Sequence, residues 1–404
     1  MDNQGCGEVM QQPIRPVVYG IGFYFLLAAT DSFRVGTIGS LLKIAVFLPL
    51  LLLLFDIRSL KIRFSPLLIL HLLFWLLTLF SLFYSVSADR TLVSVKTLTL
   101  NLLLVFSLGA LLEYRTSEIQ LMKKCLLLGG WITIMLMFIF FDFSDHGRMT
   151  LLLGQDSQDQ NYINGYFLYA FSHHCRELLL KKKKSHIVPT VFILTIVLLT
   201  GSRGGLISFV AVLFSYICIL FSSAKYRFRN ILLVTLLIAF FFIIFDLILD
   251  RIPEQVSQRF SWDYIAEKGS TGRTKIWRHL LRHYSTDSIP RMFFGHGYGT
   301  TTLINTLNSR VAHNLYLDNL ITLGITGLLL QLLLQGTVLL ILLRNREYVL
   351  FCTYIGMIFM CLSLSLTSYK PLWNMVLLAF VLHTHSDTLP MEASSDNPTQ
   401  EVHP

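Results

Sequence analysis

Charged residues and cysteines are scarce in this chain. Of its 404 residues only 14% are Asp, Glu, Lys or Arg, whereas 54% are hydrophobic. Soluble domains carry roughly 25% charged residues, so this composition excludes a water-soluble protein of this size. The six cysteines form no Cys-x-x-Cys pair. Disulfides and zinc are therefore not expected.

Long apolar runs take the place of the missing charge. A helical crossing of a hydrocarbon core about 30 Å thick needs roughly 20 apolar residues, and a helix satisfies its own backbone hydrogen bonds there. The sequence predicts an all-α polytopic membrane protein with about 12 transmembrane helices and one large extracytoplasmic loop. The helix at 315–343 is long enough to tilt or to bend near Gly327 or Gly336. The predicted helices lie near residues 16–30, 38–55, 66–84, 92–112, 125–141, 162–180, 186–200, 204–221, 231–249, 315–343, 348–367 and 371–383.

Lys and Arg are distributed unevenly between the two alternating sets of short loops. Because basic loops stay on the cytoplasmic side, this bias places both termini in the cytoplasm and the long loop outside. The predicted organisation is helices 1 to 9 in residues 1–249, the extracytoplasmic loop in 250–312, helices 10 to 12 in 313–384, and a disordered cytoplasmic tail in 385–404. The basic loops contain Arg58, Lys61, Arg63, Arg115, Lys123, Lys124, Arg176, Lys181 to Lys184, Lys225, Arg227, Arg229, Arg344 and Arg346.

The long outward loop is itself basic. Between residues 251 and 312 nine Lys or Arg side chains outnumber four Asp or Glu side chains. The loop is exempt from the rule that governs short loops. Its excess positive charge suits an anionic ligand such as a phosphate or a pyrophosphate.

A second basic feature lies in the outward turn between two apolar runs, where the sequence reads Thr-Gly-Ser-Arg-Gly-Gly at 200–205. Gly204 and Gly205 would open the next helix, whose unpaired N–H groups favour an anion, and Arg203 adds a permanent bidentate donor. The alternative is a plain glycine turn in which Arg203 reaches a lipid phosphate.

Arg273 follows Gly272 in the long loop, at the predicted start of an amphipathic helix. Ile276, Trp277, Leu280 and Leu281 would face lipid or the helical bundle, which would hold Arg273 at the depth of the lipid headgroups. One arginine among several basic residues in a hydrated loop is equally well explained as a solvated surface charge.

His313 and Asn314 stand where the chain re-enters the membrane, immediately before the apolar run that starts at Leu315. A neutral histidine can accept a proton from a hydroxyl group, and Asp318 is close enough in sequence either to orient it or, equally, to cap or pair elsewhere. Asn314 also suits the N-cap of the next helix, which is the structural explanation for the pair.

Glycines alternate at positions 295, 297 and 299, yet no strand precedes them and no dinucleotide-binding helix follows. This segment is therefore not a Rossmann signature. A glycine-rich turn is the default interpretation.

These elements, in this order, resemble the O-antigen ligase and O-antigen polymerase superfamily. No element is specific to this superfamily alone, but the combination of their order, their spacing and their common side of the membrane is specific. The resemblance covers roughly residues 162–343. It rests on Ser-Arg-Gly-Gly at 202–205, Gly-Arg with a downstream Trp at 272–277, the glycine-rich segment at 290–299, His-Asn at 313–314, and Leu-Gly-Ile-x-Gly at 323–327.

The resemblance implies a multi-pass glycosyltransferase of the bacterial inner membrane, acting at its outer face on an undecaprenyl-diphosphate-linked glycan. It implies that Arg203 and Arg273 bind the donor pyrophosphate and that His313 activates or positions the acceptor hydroxyl. Ser202, Asn314 and Asp318 are candidate supporting residues. No cofactor or metal is expected, because guanidinium groups can neutralise phosphate and no Asp-x-Asp pair is present.

The expected partners are the lipid-linked donor, an acceptor glycan or lipid A-core, membrane lipids and other polysaccharide-assembly proteins, without nucleic acid. A polymerase that joins repeat units is favoured over a ligase that transfers the finished glycan to lipid A-core. A transporter or flippase of lipid-linked glycans is the alternative from another class. The sequence shows no clear repeat of its halves, and its charged candidates cluster at the outer surface rather than at the membrane midplane.

Overall fold

The computed structural model describes residues 13–27, 34–35, 39–61, 64–142, 148–153, 156–157, 160–222, 254–261, 272–307 and 310–386. These residues are mostly helical, as expected. The predicted helix at 231–249 and the tail beyond Ser386 lie outside them. The α-helices are α1 Pro16–Leu26, α2 Leu41–Leu52, α3 Pro66–Phe80, α4 Ala88–Val105, α5 Thr116–Ile139, α6 Gln160–Ile163, α7 Leu168–Leu179, α8 Ile187–Leu199, α9 Arg203–Ser222, α10 Glu254–Ser257, α11 Arg273–Ser285, α12 Ile289–Phe294, α13 Thr301–Ile304, α14 Leu315–Arg344, α15 Tyr348–Cys361 and α16 Lys370–Ser386.

Short elements extend or join these helices. Two small antiparallel sheets have strands of at most four residues: one pairs Arg34–Val35 with Gly39–Ser40, and the other joins Phe141–Asp142, Thr150–Leu153 and Asp156–Ser157. They do not change the helical class of the fold. The tighter helical turns are Leu53–Ser59, Ser81–Phe83, Asn164–Tyr166, Lys184–His186 and Gln258–Phe260, and a π-helical turn spans Phe106–Ala110.

Among the residues that the structure describes, five helical segments are long and apolar enough to cross a membrane. Several shorter apolar helices accompany them, so the number of crossings stays a prediction. The long segments are Pro66–Phe83, Ala88–Ala110, Thr116–Ile139, Arg203–Ser222 and Leu315–Arg344, and the shorter ones include Pro16–Leu26, Lys184–Leu199 and Tyr348–Cys361.

Apolar side chains lie both inside the bundle and on its outer surface. Large side chains such as Tyr24, Phe171 and Tyr216 are fully buried between helices, whereas Phe55 and Leu100 are well exposed. In water such exposure would be unfavourable, but hydrocarbon is as apolar as leucine. The exposed apolar surface is thus the one that lipid would cover.

Loops that the charge bias assigns to one side of the membrane contact each other in the structure. At one end Lys123 pairs with Glu347 at 2.7 Å, and Arg15 pairs with Glu118 at 2.7 Å. At the other end the Val86 N–H donates to the His296 carbonyl. Which loops share a side of the membrane, and which side each end faces, stay predictions.

Helix α14 reverses direction at Gly324, which corrects the bend expected near Gly327 or Gly336. Gly324 has φ 66° and ψ −165°, outside any helical region. The Tyr316 hydroxyl donates to Gln335 Oε1 at 2.9 Å, although a continuous helix would separate these residues by about 28 Å. Residues 315–323 therefore fold back on residues 325–344, and only the second part, about 20 residues, is available to cross the membrane.

Candidate functional site

Ser202 caps the helix that begins with Arg203. Its Oγ accepts a hydrogen bond from the Gly205 N–H at 3.0 Å and donates to Asn161 Oδ1 at 3.0 Å. A serine at this position satisfies one of the free N–H groups at a helix start. The cap places Arg203 in the first turn of α9, where the helix dipole is positive.

The two glycines after Arg203 allow neighbouring segments to approach the helix start closely. A Cβ at Gly204 would lie 2.2 Å from Ser363 Oγ, and a Cβ at Gly205 would lie 2.4 Å from Asn164 Nδ2. Both positions therefore exclude larger residues. The turn that follows α15, at Ser363, rests directly on the first turn of α9.

Two further arginines reach the same turn, and the sequence analysis did not single them out. Arg148 Nε donates to the Thr200 carbonyl at 2.9 Å, and Arg259 Nε donates to the Gly201 carbonyl at 3.1 Å. Arg148 is buried, with 7% of its surface exposed. We call this turn, together with the side chains of Arg148, Arg203 and Arg259, the arginine turn. For Arg259 the sequence signal was the basic character of the long loop, which does not indicate which arginine reaches the turn, and Arg148 stands in no basic segment.

Arg273 occupies the first position of α11, an amphipathic helix as expected. Gly272 adopts φ 83° before it, and no atom of the described residues lies within 4 Å of where its Cβ would be, so the backbone conformation is what favours glycine there. Ile276 and Leu280 are buried against α14, whereas Leu281 is 48% exposed. The apolar face of α11 thus packs on the bundle.

Trp277 connects α11 to the segment that carries His313. Its indole Nε1 donates to the Ala312 carbonyl at 2.7 Å. Ala312 is fully buried among Ile276 and Leu280. The backbone next to His313 is consequently fixed to the helix that begins with Arg273.

His313 has φ 51°, in the left-handed region, which is uncommon for a residue other than glycine. Such a conformation costs on the order of 1 to 3 kcal/mol and persists only where neighbouring contacts impose it. Ala312 N–H donates to Asp318 Oδ1 at 3.3 Å on one side. Asn314 is fixed on the other side, so the histidine is held between two anchored residues.

Asn314 is the N-cap of α14, as predicted by the structural explanation of the His313–Asn314 pair. Its Oδ1 accepts from the N–H groups of Tyr316 and Leu317, both at 3.0 Å. Its Nδ2 donates to the Leu362 carbonyl at 3.2 Å. Asp318 is buried and accepts from the N–H of Ala312, the residue before His313.

The turn at Leu362 and Ser363 therefore joins the two halves of the candidate site. Leu362 accepts from Asn314, beside His313, and Ser363 packs on Gly204, beside Arg203. Arg273 joins through the contact of its helix with Ala312. Segments that are more than 100 residues apart in sequence, at 203 and 313, thus meet at one end of the bundle.

The glycine-rich segment is a packing element. A Cβ at Gly297 would lie 2.2 Å from Ser85 Oγ. The N–H groups of His296 and Gly297 donate to carbonyls of α14, those of Ile321 and Thr322, at 3.1 and 2.9 Å. These donors are used within the protein, so the segment supports the default interpretation of a turn over that of a ligand cradle.

Three features with complementary chemistry lie in the connected segments: a cluster of guanidinium groups at a helix start, a second arginine at the start of α11, and a histidine in a constrained loop. Guanidinium groups recognise phosphate through paired N–H donors. An imidazole near neutral pH can accept a proton. Together they can bind a diphosphate and deprotonate a hydroxyl.

Part of the chain matches a known protein family. No curated protein matches the chain. Residues 188–332 match the family model described as O-antigen ligase, and this range contains Arg203, Arg273 and His313. Members of that family are glycosyltransferase-like enzymes, ligases or polymerases. The match confirms the resemblance of this chain to the O-antigen ligase and O-antigen polymerase superfamily.

Proposed function

We propose that the chain is an integral-membrane glycosyltransferase that polymerises undecaprenyl-diphosphate-linked oligosaccharide repeats of O-antigen, capsule or exopolysaccharide. The reaction takes place at the outer face of the bacterial inner membrane. The observation that carries the proposal is the meeting of the arginine turn with the His313 segment at Leu362 and Ser363. The family match supports transfer of a lipid-linked glycan in general.

In the proposed reaction the acceptor hydroxyl attacks the anomeric carbon of the donor sugar. His313 takes the hydroxyl proton as the new glycosidic bond forms, while the bond to the lipid diphosphate breaks. The single displacement inverts the anomeric configuration. Undecaprenyl diphosphate departs with the bonding electron pair.

Arg203 and Arg273 bind the diphosphate of the donor. Negative charge grows on this leaving group in the transition state. Hydrogen bonds that become stronger there raise the rate of transfer and not only the affinity for the lipid-linked glycan. Arg148 and Arg259 would hold the turn that carries Arg203, because each donates to a carbonyl of that turn.

A ligase is the second candidate, because the matching family model is described as O-antigen ligase. The donor site would be the same, and the acceptor would be lipid A-core. The Gly-Arg-Thr-x-x-Trp run at 272–277 and the Ala-His-Asn-x-Tyr-Leu-Asp run at 312–318 favour the polymerase.

The test is an assay of the purified protein in detergent with undecaprenyl-diphosphate-linked repeat units, with and without a lipid A-core acceptor. A ladder of products from the repeats alone supports the polymerase. A product that requires lipid A-core establishes the ligase instead. If folded protein yields neither product with its cognate donor, the proposal of an enzyme is wrong and a transporter remains as the alternative function.

Site variants test the assigned roles in the same assay. Arg203→Ala, Arg273→Ala and His313→Ala should each abolish transfer while the protein still inserts and folds. His313→Asn is the sharper variant, because asparagine tolerates φ above 0° and so removes the imidazole with little backbone strain. Full activity in all of these variants would show that the proposed site is wrong.

A further inference from the structure

Two histidines and an aspartate meet at the far end of α11, away from the candidate site. His296 Nε2 lies 2.9 Å from Asp287 Oδ2, and His283 Nδ1 lies 3.5 Å from the same oxygen. The rings of His283 and His296 are 5.0 Å apart between centroids. The three ligand atoms all lie within 4.8 Å of one another.

Hydrogen bonding leaves part of this cluster unexplained. The contact of 3.5 Å from His283 Nδ1 to Asp287 is too long for a hydrogen bond. His283 Nδ1 is inaccessible to solvent and, among the residues that the structure describes, has no hydrogen-bond partner. A buried imidazole nitrogen that faces a carboxylate without bonding to it is unfavourable unless a cation lies between them.

The two separations from the histidines to Asp287 fit a common metal ligand sphere. Zinc binds imidazole nitrogen and carboxylate oxygen at about 2.0 to 2.2 Å, and in a tetrahedron two such ligands are roughly 3.3 Å apart. The observed distances of 2.9 and 3.5 Å bracket this value. Two imidazoles among three ligands favour zinc over magnesium or calcium, which prefer oxygen.

We propose that His283, Asp287 and His296 form a divalent transition-metal site, and that Zn²⁺ is its ligand. The reasoning from cysteine spacing missed it because the ligands are histidine and aspartate. Asp287 and His296 are nearly fully buried, with 5% and 1% of their side chains exposed, whereas His283 is 35% exposed. The open side at His283 gives an ion its route of entry.

The site joins α11 to the glycine-rich segment. His283 belongs to α11, and Asp287 follows its end, whereas His296 lies on the segment that donates hydrogen bonds to α14. Along a straight helix His283 is about 15 Å from Arg273, too far for the metal to touch a ligand held there. The zinc therefore stabilises the packing of α11 and takes no part in the glycosyl transfer, and the inference does not depend on the proposed function.

The experiment uses the full chain purified through a tag without histidines, treated with a chelator and dialysed against Zn²⁺. Bound metal is measured by elemental mass spectrometry, and thermal unfolding is followed with and without Zn²⁺. The wild type should bind one equivalent and unfold at a higher temperature with Zn²⁺. His283→Ala and Asp287→Asn should each lower the affinity at least about 10-fold to 100-fold, since even outer-shell changes have effects of that size.

His279→Ala is the matched control, because His279 lies one turn earlier on α11 and contacts Thr306. It should bind zinc as the wild type does. Co²⁺ bound in place of Zn²⁺ gives a visible absorption band that reports ligand geometry without any enzyme assay. If the wild type binds no more zinc than the His283→Ala and Asp287→Asn variants, the cluster is a hydrogen-bonded pair with a neighbouring histidine and the proposal is wrong.

Discussion

Trp277 donates its indole N–H to the Ala312 carbonyl at 2.7 Å, across 35 residues of sequence. The bond joins the helix that begins at Arg273 to the backbone of His313. A residue proposed to bind the donor and a residue proposed to activate the acceptor are thereby held in one rigid unit. The relationship gives Trp277 a positioning role.

Trp277→Phe should impair glycan transfer more than it impairs folding. The variant keeps an aromatic ring against α14 but removes the donor to Ala312, a net loss of about 1 kcal/mol of stability. A shift of about 1 Å in a reacting group can cost on the order of 100-fold in rate. We expect transfer to fall roughly 10-fold to 100-fold in the gel assay, chiefly in kcat.

Trp75→Phe is its control, because Trp75 Nε1 donates in the same manner to Thr99 Oγ1 at 2.9 Å inside the bundle. It removes the same chemical group away from the site. Equal losses of activity in both variants would show that Trp277 stabilises the fold without positioning His313.

Arg148→Lys should lower transfer although Arg148 lies outside the matched family range. Lysine keeps the charge but cannot reproduce the planar set of donors with which Arg148 holds the Thr200 carbonyl. A lost charge-assisted hydrogen bond of about 1.5 to 3 kcal/mol corresponds to a fall of roughly 10-fold or more. Initial rates at several donor concentrations measure it.

Arg278→Lys makes the same exchange on the exposed face of α11 and should leave the rate unchanged. A fall in both variants would point to the total guanidinium charge of the loop. If neither variant lowers the rate, Arg148 has no functional role in the arginine turn.

The membrane-spanning character of the chain was predictable because it follows from composition and the length of apolar runs. Helix starts were less predictable: α5 begins at Thr116 rather than near residue 125, since the polar turn that contains Glu118 is stabilised by a contact with Arg15. Such a partner lies about 100 residues away in sequence and leaves no local pattern.

The candidate site, like the fold, was predictable from the sequence only in part. Arg203, Arg273 and His313 were identifiable because they stand in short motifs at predicted helix starts. Arg148 and Arg259 were not, because one arginine among many carries no signal until the fold brings it to a particular carbonyl. The roles of all these residues in catalysis stay predictions.

Glu118→Gln should destabilise the protein more than Glu347→Gln does. Glu118 is fully buried and pairs with Arg15 at 2.7 Å, whereas Glu347 is 23% exposed in its pair with Lys123. Breaking a buried pair leaves an uncompensated charge and costs about 3 to 5 kcal/mol. Thermal unfolding in detergent should show the larger fall for Glu118→Gln, and the reverse order would contradict the assigned burial.

Gly324→Ala should be the most destabilising glycine substitution in α14. A φ of 66° with ψ near 180° is essentially restricted to glycine, and a Cβ there would lie 2.3 Å from the Phe293 carbonyl carbon. Strain and overpacking together should cost at least about 3 kcal/mol. Gly336→Ala is the matched control: its Cβ would meet no atom within 4 Å among the residues that the structure describes, and alanine favours the helix by up to about 1 kcal/mol. Thermal unfolding of the two variants separates a reversal at Gly324 from a continuous long helix, because a continuous helix would tolerate alanine at both positions.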